Sequence, residues 1–145
     1  MSSNLSLPQI IAFLSTVEGF CELPEQDLAT LIAPLIGIET FERGQHIIQF
    51  GSVGTTLFVL YEGKARVDLP VGEGKMLHFS CDSGTLLGEM SLVSNKPRGA
   101  DIVAETHVVV LTLDIETFQM LMSNDWRVTK AFASLIGRRL APKEG

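Results

Sequence analysis

Residues 86 to 105, LLGEMSLVSNKPRGADIVAE, set a carboxylate (Glu89) directly after Gly88 and a guanidinium (Arg98) directly after Pro97. An arginine fork bonds two phosphate oxygens with charge-assisted geometry, where a lysine acts only as a point charge. A carboxylate is a poor phosphate ligand but a good acceptor for a ribose hydroxyl. Glycine lets a backbone come close to a ligand, and free N–H groups at a short turn add donors. Glu89 and Arg98, nine positions apart around a short helical turn, therefore divide into sugar and phosphate roles for an anionic sugar-phosphate. An arbitrary Glu and Arg at this spacing make a surface ion pair worth about 0–1 kcal/mol. Here the whole segment shifts the reading toward a ligand site.

Other chemistries find little support. His46, His78 and His107 are far apart in sequence, without the His-x-His pair and nearby Glu of a cupin metal site, so no metal and no haem is expected. Cys21 and Cys81 are isolated. They cannot build a four-cysteine zinc or iron–sulfur site, and are expected as buried or half-buried free thiols in a reducing compartment. Ser15, Ser80 and Ser91 lack a Gly-x-Ser-x-Gly context, and no enzymatic activity is expected. With 17 acidic and 11 basic residues the net charge is −6, which argues against direct nucleic-acid binding. The apolar runs are far too short for a membrane span and no secretory signal is visible, so a cytoplasmic protein is expected.

The elements that must position these residues can be read from the same chain. A length of 145 residues and 46% hydrophobic content suit a single domain over 1–145. Residues 8 to 17 and the stretch after Pro24 carry helical spacing, with Pro34 ending or bending the second helix. From Ile36 the texture becomes IGIETF, HIIQF, TLFVLY, ARVDL and KMLHFSC, cut by Arg43-Gly44, Gly51 to Gly54, Glu62-Gly63 and Gly72-Glu73-Gly74. Turns at near-ten-residue intervals indicate antiparallel hairpins. In ADIVAE the alternation directs Ala100, Ile102 and Ala104 inward and Asp101, Val103 and Glu105 outward. Asp114 is placed to cap a helix through Met122, and Ser123-Asn124-Asp125 precede a final helix carrying Val128, Phe132, Leu135, Ile136 and Leu140 on one face. Trp126 reads as an anchor of that junction. The expected layout is N-terminal helices over about 1–35, a mainly antiparallel β-roll of jelly-roll type over 36–113, and two C-terminal helices over 114–141.

The segment closely resembles the phosphate-binding cassette of the cyclic-nucleotide-binding domain family, which includes the catabolite activator protein, regulatory subunits of protein kinase A and nucleotide-gated channels. The family pattern is Phe-Gly-Glu, a few apolar or small residues, a short loop, then Pro-Arg-x-Ala and a strand. Gly88, Glu89, Met90, Ser91 and Leu92 followed by Pro97, Arg98 and Ala100 match it, with Leu87 in place of the aromatic. Phe41-x-x-Gly44, Gly51-x-x-Gly54, Leu57-Phe58-Val59 and Glu62-Gly63 resemble the family's roll, and the likeness spans roughly 18 to 140.

The resemblance implies that Glu89, with the Gly88 backbone, accepts the ribose 2′-hydroxyl. It implies that Arg98 clamps the cyclic phosphate, with backbone donors at Gly99 and Ala100 and with Met90 and Ser91 completing the cassette. Members that prefer cyclic GMP commonly carry Thr after the Arg; Gly99 lacks that hydroxyl, so cyclic AMP is the expected ligand, with cyclic GMP the alternative. In this family the last helix often closes over the base. A lid is then one reading of Phe132, Leu135 and Ile136, with Arg138 or Arg139 on the purine; a packing face is the other. The implied function is a regulatory sensor that signals by moving its C-terminal helices to an effector domain or partner protein outside this chain. A degenerate β-roll serving as an interaction module without nucleotide is the competing class.

Overall fold

The structure is a computed structural model that describes residues 5–92 and 96–140. Helix α1, Leu7–Leu14, starts at Ser6, whose hydroxyl accepts the Gln9 N–H while Gln9 Oε1 accepts the Ser6 N–H. This reciprocal box satisfies donors that the first turn otherwise leaves open. After a 3₁₀ turn, Phe20–Glu22, helix α2, Glu25–Asp27, winds into a π turn over Leu28–Ile32 and a 3₁₀ turn over Ala33–Leu35. Helical spacing in the sequence predicts a regular helix here. The winding is instead irregular, and it ends next to Pro34, which has no N–H to extend the ladder.

Eight strands follow among the described residues: β1 Gly37–Phe41, β2 His46–Ile48, β3 Thr56–Glu62, β4 Ala65–Gly72, β5 Lys75–Cys81, β6 Leu86–Leu87, β7 Asp101–Ala104 and β8 Val108–Asp114. They form two antiparallel sheets of four strands, in the orders β1-β8-β3-β6 and β2-β7-β4-β5. The fold is an antiparallel β-roll flanked by helices.

In the first sheet the central strands β3 and β8 are buried on both faces, which explains their unbroken apolar runs. From β3 and β8, Leu57, Val59, Leu111 and Leu113 join the helices. The alternate residues Phe58, Leu60, Val108 and Val110 fill the roll with Ile47, Ile48, Leu87, Ile102 and Ala104. The second sheet meets solvent on its outer face. There Val103, expected outward, is nevertheless buried. Arg66 and His46 stand across from it on the neighbouring strands. At the open edge, Leu77 and Phe79 of β5 stay about half exposed although they share a face with Val67 and Leu69.

Helix α3, Ile115–Asn124, is capped by Asp114, whose carboxylate accepts from the Thr117 N–H and hydroxyl. It runs two residues past Met122 because the Asp125 N–H still reaches the Leu121 carbonyl. Helix α4, Trp126–Leu140, then packs Phe132 against Phe20 and Phe118, with ring centroids 4.9 Å from each. Leu14, Leu28, Ile32, Val128 and Leu135 complete this core. Trp126 is no buried anchor: it is 69% exposed, with the Lys130 ammonium over its ring. Cys21 is exposed rather than buried, and both thiols are free.

Candidate ligand-binding site

Leu86 and Leu87 pair with Val59 and Phe58 of β3, and at Gly88 the chain leaves the sheet with a φ of 83°. The 3₁₀ turn Glu89–Leu92 follows and lies against α3 and β3. The chain returns through Pro97 and Arg98 to β7. Between these two limbs and the second sheet lies a cavity of about 540 Å³. Its wall includes Gly88, Glu89, Met90, Arg98, Gly99 and Ala100, faced by the apolar Ile48, Val67, Leu69 and Ile102. That size, and an apolar wall with few polar groups, are what small-molecule sites share.

Arg98 is the only buried charged residue among the described residues, at 7% exposure. Its Nη2 donates to the Thr56 carbonyl at 2.7 Å and its Nη1 to the Gly88 carbonyl at 3.2 Å. Its backbone is held as firmly: the Arg98 N–H donates to Ser52 O and the Gly51 N–H donates to Arg98 O, both at 2.8 Å. Burial draws the guanidinium pKa below its ordinary value, and the nearby Glu89 carboxylate opposes that shift. Glu89 thus contributes negative charge beside a positive group that is already oriented and largely desolvated.

Two glycines make room for this group. A Cβ on Gly88 would stand 2.7 Å from Arg98 Nη1. At Gly54 the three nearest atoms to such a Cβ all belong to the Arg98 guanidinium, which it would overlap. The sequence marks Gly54 only as a turn residue of the roll; that the Arg98 guanidinium fills the place of its Cβ is visible only in the structure. Thr56 acts through its main-chain carbonyl, which no side-chain pattern reveals.

A larger and more open recess of about 870 Å³ is also lined by Arg98, together with residues between Thr40 and Phe58. It lacks Glu89, Gly88 and Gly99, so the smaller cavity carries the paired carboxylate and guanidinium chemistry. Cys81 also lines the smaller cavity; burial first, then Asp82, Glu89 and Glu105, push its thiol pKa up from the ordinary value. The histidines go to separate carboxylates: His46 to Asp101 at 3.7 Å, His78 to Asp68 at 2.6 Å and His107 to Glu42 at 3.0 Å. Among the described residues no three His, Cys, Asp or Glu gather as a metal site.

The structure thus brings Gly88, Glu89, Met90, Arg98, Gly99 and Ala100 to one cavity. It does not bring Phe132 and Leu135 there. Both are buried in the helical core, and Ile136 packs against the same cluster, so in this arrangement the stripe is a packing face rather than a lid. The reason is the Phe20–Phe118–Phe132 contact, which takes the apolar face of α4. The side chains of Ser91, Arg138 and Arg139 lie outside the described residues.

Comparison with known proteins bears on the family and the fold. Human cGMP-dependent protein kinase 2 is 36% identical over 110 residues, covering 73% of this chain and 14% of the kinase. The chain therefore spans only a small part of such relatives. A mutant regulatory subunit of a cAMP-independent protein kinase A from Trypanosoma brucei, bound to cAMP in its A site, superimposes with a TM-score of 0.79 at 26% identity. That match covers 94% of this chain and 48% of the other. The N-terminal domain of a transcriptional regulator from Streptomyces coelicolor A3(2) gives 0.75 at 28% identity, over 88% of this chain and 90% of that one. The family model for the cyclic nucleotide-binding domain matches residues 38–125, so the chain belongs to the cyclic nucleotide-binding domain family.

Proposed function

We propose that this chain is a regulatory module that binds a cyclic nucleotide, cAMP in preference to cGMP, and leaves it chemically unchanged. The observation that carries this reading is Arg98, a buried cation lining one small apolar cavity together with Glu89. In this reading the Arg98 fork takes the cyclic phosphate, a charge-assisted contact in a largely dry site. Glu89 accepts the ribose 2′-hydroxyl, and the backbone N–H groups of Gly99 and Ala100 add donors to the phosphate. Met90 and Ser91 complete the turn, and the base lies along Val67 and Leu69. Little ordering remains to be done when the ligand arrives, because the guanidinium is already held by two carbonyls.

The preference for cAMP rests on Gly99. It carries no hydroxyl to pair with a guanine edge, and space is open around its Cα. The signal is proposed to leave through the cassette turn, which touches α3. With Phe118 and Phe132 in one cluster, α3 and α4 move as a unit with the N-terminal helices, toward an effector domain or partner protein outside this chain. Such a movement reports the ligand only when the two arrangements bind it with different affinity.

Titration calorimetry of cAMP and cGMP into wild type and Arg98→Ala tests the reading. Losing a desolvated charged contact costs about 2–5 kcal/mol, more than tenfold in affinity. Binding of cAMP that the substitution abolishes supports the module, and recovery of intact nucleotide supports its lack of catalysis. No heat with either nucleotide in folded, ligand-free protein overturns it, and favours an interaction module whose contact face would include the exposed Leu77 and Phe79.

A further inference from the structure

The turn between β2 and β3, residues 49–55, forms the wall behind Arg98, yet nothing apolar holds it down. Phe50 is 55% exposed and Val53 77% exposed. Its long-range anchors are hydrogen bonds. Two are the backbone exchange of Gly51 and Ser52 with Arg98, and a third is the Ile115 N–H donating to the Thr55 carbonyl at 2.8 Å, at the far end of the turn. The fourth, at the near end, comes from β7: Asp101 Oδ1 accepts the Phe50 N–H at 2.8 Å, across 51 residues of sequence. The alternation of β7 accounts for Asp101 as an outward, solvated residue, and solvation alone asks nothing of it. Its carboxylate instead does what a ladder carbonyl would do, at the point where β2–β7 pairing stops at Ile48 and Ile102.

The groups around it leave Asp101 available for this task. Asp68, directly across on β4, is bonded to Arg66 and His78. His46 Nε2 stands 3.7 Å from the Asp101 carboxylate, within ion-pair reach but too long for a hydrogen bond, so the Phe50 N–H is the shorter contact. Gly54, at the end of the same turn, is where the guanidinium has no spare room. A turn that shifts outward by a fraction of an ångström frees the fork to rotate, and one that shifts inward expels it.

We propose that Asp101 is a positioning residue of the ligand site: through the Phe50 N–H it fastens the 49–55 turn, and through that turn it sets the orientation of the Arg98 fork. The role rests on the reading of the cavity as a cyclic-nucleotide site. Asp101 touches no ligand in it and acts only through Arg98.

The test titrates cAMP into wild type, Asp101→Ala and Asp101→Asn, in both the Arg98 and the Arg98→Lys backgrounds. The Arg98 Nε–H resonance is recorded for each variant without ligand. Loss of a charged hydrogen bond of this kind lowers affinity by about tenfold. The expected result is that loss in Asp101→Ala, recovery in Asp101→Asn through its amide oxygen, and a much smaller effect in the Arg98→Lys background. The Nε–H signal should broaden or move in Asp101→Ala alone. The proposal is overturned by unchanged affinity in folded Asp101→Ala, by an equal loss in Asp101→Asn, or by an equal loss when Arg98 is Lys. If wild type binds no cyclic nucleotide, the functional reading falls instead. The Nε–H resonance then decides the positioning role: an unmoved signal in Asp101→Ala overturns it, and a shifted one sustains it.

Discussion

Arg98 shows how a charge can be kept inside a small protein: two main-chain carbonyls accept from its fork, and the Glu89 carboxylate favours its charged form. Such an arrangement tolerates little extra volume. Gly54 has no left-handed φ to protect, so Gly54→Ala adds no left-handed backbone strain, and the atoms nearest its methyl group are those of the guanidinium. That substitution should leave the far-UV spectrum unchanged while weakening cAMP by about tenfold or more in calorimetry, the scale of one charged contact. A variant that binds as wild type would show that the fork is free to yield. Gly99 predicts the opposite behaviour. Its surroundings are open, so Gly99→Thr should fold normally and raise cGMP affinity relative to cAMP in the same titration.

Among the elements, the β4–β5 hairpin owes its order on the outer face to Asp68. Hydrogen bonds from Arg66, then from His78, hold the Asp68 carboxyl down to about 2 from its ordinary 3.8. A carboxylate depressed by folding adds stability above the unfolded pKa, and that stability is lost as pH falls through the folded value. Asp68 should therefore contribute fully above about pH 4 and progressively less toward pH 2, and Asp68→Asn should flatten acid unfolding in that window. Asp114 and Asp125 are shifted the same way, Asp114 by the Thr117 N–H and hydroxyl and Asp125 first by the Arg127 side chain. As a helix cap, Asp114→Ala should cost about 1 kcal/mol, readable as a lower denaturant midpoint at unchanged slope.

At the scale of the molecule, the two ends of the chain meet in one cluster. Phe20 comes from the N-terminal segment, Phe118 from α3 and Phe132 from α4, and all three are fully buried. Gly19 lies so close to Phe132 that a side chain there would collide with its ring. Phe132→Ala should thus cost about 3–5 kcal/mol and lower the melting temperature by about 10 °C. Since Leu57, Val59, Leu111 and Leu113 tie this cluster to the roll, circular dichroism and Trp126 fluorescence should report one coincident transition. A Trp126 transition well below the other would show that the helices melt alone. No helix among the described residues is long and apolar enough to cross a membrane.

Much of this was legible in the sequence, for local reasons. Turn glycines at near-ten-residue spacing, Pro34 and the Asp114 cap act over a few residues, so the succession of helices, roll and helices follows from them. Gly88, Glu89, Pro97 and Arg98 lie within one short segment, which is why their chemistry could be read before any fold was known. What only tertiary structure decided is non-local. The Asp101–Phe50 bond spans 51 residues, the Arg98–Thr56 bond 42, and the Phe20–Phe132 contact joins opposite ends of the chain. The apolar stripe of α4 is equally suited to a lid or to a core, because amphipathicity specifies that a face must be covered and not what covers it. The partner was chosen by the return of the N-terminal segment, and that return places Phe20 where α4 turns inward.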